Sequence, residues 1–225
     1  MNDPTGGLYP FLDGPGDTSA GHLLAEVRSS TLRKAEDITA LRMAMWDAHE
    51  EDIAAAARLL ADAFRTGGKL LAFGNGGSAT DAQDLVEDLA RPPLPHWKAL
   101  PALALVQDRG IVTAVGNDVG YDHVFARQII AYGRRGDVAV GFSTSGQSEN
   151  LLAAFQEARR RGMATVGFAG YDGGRMASEG AVDAAVVAPS THIPRIQEAH
   201  ATAYHALIHL AQELLAEELV AEEEP

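Results

Sequence analysis

A chain of 225 residues, 46% of them hydrophobic and 22% charged, is long enough to bury a core as one globular domain. Its formal net charge of -13 repels phosphate backbones and excludes a broad basic face for direct nucleic-acid binding. It has no cysteine, which excludes disulfides, thiolate metal sites and cysteine nucleophiles.

Residues 1–17, MNDPTGGLYPFLDGPGD, are rich in Gly, Pro and Asp and predict a flexible arm. Packing of Leu8, Tyr9, Phe11 and Leu12 on a neighbour would order it. The arm lacks the basic start and apolar core of a secretory signal. No apolar run approaches the ~20 residues of a membrane span, so the expectation is a cytoplasmic protein without a membrane partner. From Thr18 to about Phe64 the pattern is helical, with Leu23, Leu24, Val27, Leu32, Ile38, Leu41 and Met45 at three- and four-residue steps. A second helix is expected from near His49 to Arg65, ended by Gly67-Gly68. Helices in excess of what covers a sheet pack against copies of themselves, so a homo-oligomer is expected.

Five short apolar runs follow: KLLAFG (69–74), PALALV (101–106), DVAVGFS (137–143), ATVGFAG (164–170) and DAAVVAP (183–189). Strands alternating with helical segments predict an α/β fold with a parallel sheet covered on both faces. A last helix is expected over 195–218, before a solvated tail AEEEP. Residues 18–220 then form a single domain that includes the N-terminal helices.

Four segments carry chemistry. Gly74-Asn75-Gly76-Gly77-Ser78 lies between a strand and a helix, where glycines let the chain approach a ligand and free N–H groups attract an anion. A structural tight turn would carry the same glycines. The segment is neither a P-loop nor a good dinucleotide fingerprint. FSTSGQSEN places Ser143, Thr144, Ser145 and Ser148 around Gly146 at another helix start. Four hydroxyls with a helix dipole suit a phosphate monoester held by hydrogen bonds; a simple helix cap needs only one. Asn117 and Asp118, in AVGNDVGYD, either cap the next helix or reach sugar hydroxyls. In THIPRIQEAHATAYHALIH, Gln197 and His200 share one helical face, as do His205 and His209, and Glu198 lies on the same helix. Four acids, Asp81, Asp84, Glu87 and Asp88, follow the glycine turn. Asp81 is expected to support the first helical turn through the macrodipole, and Glu87 to face solvent or a neighbour.

GNGGS and STSGQS in this order and spacing resemble the sugar isomerase (SIS) domain. The stretches GNGGSATDAQ, VGNDVGYD, GDVAVGFSTSGQSENLLAAFQEARRRGM, GYDGGRMA and RIQEAH resemble the phosphoheptose isomerases within it, over roughly residues 65–215. The resemblance implies a three-layer flavodoxin-like sandwich on a five-stranded parallel sheet, and a tetramer with active sites at subunit interfaces. It implies interconversion of sedoheptulose 7-phosphate and an aldoheptose 7-phosphate through an enediolate. By the resemblance, Asn75, Gly76, Gly77, Ser78, Asn117, Asp118 and Gln197 contact the sugar, and Ser143, Thr144, Ser145 and Ser148 hold the phosphate. The family's metal site, zinc, falls on Asp84, Asp88, Gln197 and His205, with Asp88 and His205 also catalytic.

This chain departs from the family at Asp84, where the family has His, and at Asp88, where it has Glu. Asp88 is one methylene shorter than the expected base. Two aspartates make an oxygen-rich site, in which Mn²⁺ or Mg²⁺ compete better with Zn²⁺. Gln197 and His205 are eight residues apart, about 12 Å along a helix, so one ion does not easily hold both from one helix. Two further readings follow from the departures. One is a non-catalytic phosphosugar-binding adaptor, such as a protein associating with the replication initiator DnaA. The other is an isomerase of another phosphosugar.

Overall fold

The structure is a computed structural model that describes residues 20–178 and 180–223, with side chains through residue 216. The expected arm, with Leu8, Tyr9, Phe11 and Leu12, and the last residues of the tail lie outside the described residues. Among the described residues the elements are α1 (Ala20–Arg65), β1 (Leu70–Gly74), α2 (Gly77–Ala90), β2 (Ala102–Ala104), α3 (Arg109–Asp118), a 3-10 turn (Tyr121–His123), α4 (Val124–Tyr132), β3 (Val138–Ser143), α5 (Glu149–Arg160), β4 (Ala164–Gly170), β5 (Ala184–Ala188) and α6 (Ile193–Glu223). Packing divides the chain into a unit ending at Thr39 and a unit from Ala40 onwards. In the first unit, Leu23, Leu24, Val27 and Leu32 are exposed on the helix. In the second, the helical path is interrupted at His49 (φ -131, ψ 20), where the sequence predicts a new helix to begin. The Asp52 carboxylate sits 2.8 Å from His49 Nδ1 at that break.

The five strands form one parallel sheet in the order β2-β1-β3-β4-β5. Alternate side chains serve opposite faces, as the period of a strand requires. Leu71, Phe73, Ala139 and Ala169 point to one face, where α4 and α5 supply Val124, Phe125, Ile129, Leu151 and Phe155. On the other face Phe142 and Phe168 stack at 4.7 Å and meet Tyr204 and His200 of α6. Burial on both faces is why each strand reads as a continuous apolar run. β2 is shorter than PALALV suggests because Leu105 and Val106 already turn, although Leu105 N still donates to Ala72 O at 2.8 Å.

Strand order reverses between β1 and β3. β2 lies on one side of β1, and β3, β4 and β5 follow on the other. In an open parallel sheet such a reversal leaves a crevice beyond the C-terminal strand ends, because the connections on its two sides run to opposite faces. Gly74 pairs with Phe142 in register at that edge, which places Asn75 and the Ser143 loop side by side.

Candidate functional site

The crevice is built from two turns. The first leaves β1 at Gly74 and enters α2 through Gly76 (φ 56), with no side-chain cap on the helix. Gly77 leaves room for the Gln197 amide of α6 at the start of α2; a Cβ there would displace the far end of that side chain. The second turn leaves β3 at Ser143. Its Oγ accepts from Gly146 N at 3.1 Å and lies 3.0 Å from Ser148 Oγ. Ser145 Oγ accepts from Gln147 N at 3.2 Å. Gly146 has φ +62, and a Cβ would collide with Gly173 O. Ser148 occupies the N-cap position of α5 but makes no side-chain cap bond. α2 and α5 both begin at this edge without a side-chain cap, whereas α3 is capped by Asp108, which accepts from Ile111 N at 2.9 Å. Uncapped helix starts beside hydroxyls suit a phosphate.

Asn75 connects the two turns. Its Nδ2 donates to Asn150 Oδ1, and Asn150 Nδ2 donates back to Asn75 Oδ1, both at 2.9 Å. Tyr121 OH donates to the same Asn75 Oδ1 at 2.9 Å. Asn117 and Asp118 close α3, with Asn117 Nδ2 donating to Asp118 Oδ1 at 2.7 Å. Neither caps the following 3-10 turn, which has no side-chain cap.

Along the α2–α6 seam, Gln197 lies at Gly77 and His205 at Asp88, with His205 Nε2 3.1 Å from Asp88 Oδ2. His205 is 60% and Asp88 35% exposed, so the pair is open to a ligand. Gly77 and Asp88 are separated by about 16 Å of helix at 1.5 Å per residue. The set Asp84, Asp88, Gln197 and His205 is therefore not assembled around one point of a single chain. Among the described residues, no group of three or more His, Asp or Glu side chains is gathered for a metal. Asp88 with His205 supplies two donors, Asp84 is exposed one turn away on α2, and Gln197 sits at the other end of the seam. As they stand, these residues do not fit a closed zinc site.

His200 is buried, with Nε2 2.8 Å from Ala169 O, which assigns the proton to Nε2. Burial lowers its pKa to about 4, so it packs as a neutral ring. His209 meets Trp97 edge-on at 5.2 Å. Glu198 pairs with Arg195, and exposed Glu87 lies 3.1 Å from Arg91.

Asp81 departs from its expected role. It is 8% exposed, its Oδ2 has no hydrogen-bond partner, and burial followed by the Asp84 charge raises its pKa to about 7. Burial therefore disfavours the charge that a helix-dipole partner would carry. The signal is present in the sequence: Ser78, Asp81, Ala82, Leu85 and Leu89 recur at three- and four-residue steps, the buried stripe of α2. The Tyr204 hydroxyl is held neutral, its pKa raised first by burial and then by Asp84, Asp88 and Asp81, so all three carboxylates act on one phenol. Tyr121 and Asn150 lie inside the stretches VGNDVGYD and FSTSGQSEN, whose motifs do not single them out; the structure joins both to Asn75.

A family model described as SIS domain matches residues 35–170. The chain is 42% identical over 190 residues to a phosphoheptose isomerase of Geobacter sp. (strain M21), covering 84% of this chain and 96% of that one. It is 52% identical over 144 residues to a phosphoheptose isomerase of Desulfovibrio desulfuricans, covering 64% of this chain and 68% of that one. Among solved structures, the phosphoheptose isomerase GmhA of Neisseria gonorrhoeae superposes with a TM-score of 0.76 at 34% identity, over 83% of this chain and 99% of that chain. A phosphoheptose isomerase of Francisella tularensis gives 0.76 at 31% identity, over 84% and 98%.

Proposed function

The chain belongs to the SIS-domain family and, within it, to the phosphoheptose isomerases, and from that premise we propose that it interconverts sedoheptulose 7-phosphate and an aldoheptose 7-phosphate. The observation that carries an enzymatic reading is the Asp88–His205 pair, 3.1 Å apart and open to solvent on the α2–α6 seam. Unlike the His49–Asp52 pair at the helix break, this pair stands where the family's base and acid positions fall.

Aldose–ketose exchange moves one proton between C1 and C2 and one between the two oxygens. Asp88 removes the C1 proton of the ketose, the C–H electrons form the C1–C2 double bond, and the carbonyl electrons move onto O2. His205 carries a proton between O1 and O2. The carboxylic acid formed at Asp88 then returns its proton to C2, closing the cycle with no net oxidation. Ser143, Thr144, Ser145 and Ser148, with the start of α5, hold the phosphate through neutral donors. Asn75, Gly76, Gly77 and Ser78 hold the sugar, with Asn117, Asp118 and Gln197 on its hydroxyls. Binding the distant phosphate orients the reacting carbons.

Zn²⁺ is what the family adds. Within one chain its four expected ligands are not convergent, and no step above passes through a metal. We place the working enzyme in the cytoplasm as a homotetramer with residues 18–220 as one domain. Exposed Leu24, Leu32 and Met43 support self-association, and the absence of a long apolar helix among the described residues agrees with a non-spanning chain. Asp88→Asn tests the roles: sedoheptulose 7-phosphate turnover falls by about 10²–10⁴, the range of a lost general base. Unchanged turnover contradicts the assignment.

A further inference from the structure

Tyr121 lies between Asn117-Asp118 and the glycine turn, 55% exposed, yet its hydroxyl is committed to Asn75 Oδ1 at 2.9 Å. That oxygen also accepts from Asn150 Nδ2 at 2.9 Å, and Asn75 Nδ2 donates to Asn150 Oδ1 at 2.9 Å. A side-chain amide has two acceptor positions and two N–H donors. Both acceptor positions of Asn75 are filled and one donor is used, which leaves one N–H free. Asn150 is buried at 2% exposure on the first turn of α5, so it is a fixed anchor on the phosphate side. Three elements meet at one amide: the β1–α2 turn, the start of α5, and the 3-10 turn after α3.

Resting on the isomerase reading above, we infer that Tyr121 is a positioning residue that locks Asn75 so that it meets the sugar only as a hydrogen-bond donor, with Asn150 tying that donor to the phosphate loop. The chemistry follows from the count. With its oxygen saturated, Asn75 recognises an acceptor on the ligand, a hydroxyl lone pair or the carbonyl oxygen, and does not accept from a sugar O–H. Without the phenol, the amide is held through Asn150 alone and gains freedom to rotate. The cost then falls on orienting the sugar and not on the proton transfers at Asp88 and His205.

The test is Tyr121→Phe in the full-length protein, which keeps the ring and removes only the bond. Steady-state kinetics with sedoheptulose 7-phosphate are measured in the native and Asn75→Ala backgrounds. The inference predicts a fall of about five- to tenfold in kcat/KM, the scale of one hydrogen bond, carried by KM with kcat and its pH profile unchanged. In the Asn75→Ala background the second substitution has no further effect, because the group it positions is gone. Equal kinetics for the native protein and Tyr121→Phe overturn the inference. So does the same loss in both backgrounds. A substrate-free readout separates this from the function itself: hydrogen exchange of the Asn75 side-chain amide, followed by NMR, is several-fold slower in the native protein than in Tyr121→Phe. If the native protein turns over no ester, the isomerase reading fails, while slower exchange still supports the lock. Equal exchange rates overturn it in either case.

Discussion

Replacing Asp81 with Asn removes a buried acid whose charge the fold disfavours. The folded pKa is about 7, against an ordinary value of 3.8, with burial as the first cause and Asp84 as the second. The sign follows from proton counting. Between those two values the folded chain holds a proton that the unfolded chain has lost, so stability falls as pH rises through the window and levels off above the folded pKa. Full ionisation costs at most about 4 kcal/mol, at about 1.36 kcal/mol for each tenfold change in the acid's dissociation constant. Between about pH 5 and pH 8 the native protein loses about 2–3 kcal/mol from this group alone. Tyr204 is another group whose pKa is displaced here; its change is upward, so it stays neutral throughout the range. The amide of Asp81→Asn cannot ionise and leaves the other titrations in place. Urea unfolding of both proteins at about pH 5 and pH 8, at one protein concentration, isolates the contribution as a difference of differences. The variant gains about 2–3 kcal/mol relative to the native protein on going from about pH 5 to pH 8. Parallel curves at both pH values would show that Asp81 is solvated and ionised in the folded state, and would refute the reasoning.

Gly146→Ala forces an alanine into φ +62 with its Cβ against Gly173 O; it costs at least about 2 kcal/mol and abolishes inorganic phosphate binding in calorimetry. Native melting temperature and affinity contradict this. Asp137 accepts from Lys69 N at 2.9 Å, Arg134 N at 2.9 Å and Lys69 Nζ at 2.6 Å at the N-terminal edge of β1 and β3. Asp137→Asn therefore lowers stability by roughly 3 kcal/mol in chemical denaturation. It leaves kcat unchanged, because the crevice is at the opposite edge of the sheet; a selective loss of kcat contradicts that placement. Asp84→His raises Zn²⁺ affinity at least about tenfold by titration calorimetry, because imidazole suits zinc better than carboxylate does. Equal affinity shows that Asp84 does not stand where an ion binds.

The strands are legible in the sequence because each is buried on both faces and bounded by Gly, Pro or charge, so an unbroken apolar run marks it. The two turns are legible because in each a strand runs into a glycine- or hydroxyl-rich segment that opens a helix, a pattern that a tight turn or a simple cap carries only in part. Strand order is not, since nothing in LLAFG or VAVGFS names its neighbour, and the crevice follows from that order. The break at His49 falls where a second helix is expected to begin, although the buried stripe through Met45 and Ile53 keeps its phase across it, while the end of β2 at Ala104 depends on its edge position. Asp81 is readable from the spacing of its stripe but is masked by the neighbouring acids, which suggest a solvated face. The separation of Gln197 from His205 is readable as eight residues of one helix, but which α2 residue each meets depends on how α6 lies on α2, which is a tertiary fact. The Asn75–Asn150–Tyr121 junction joins residues 46 and 75 positions apart, beyond any local pattern.

The most direct measurement is proton NMR of sedoheptulose 7-phosphate incubated with the native protein in D₂O. The account predicts aldoheptose 7-phosphate carrying deuterium at C2, and deuterium washed into C1 of the recovered ketose, because the carbon proton passes through Asp88. Recovered ketose without deuterium and without any aldose product would contradict the isomerase assignment.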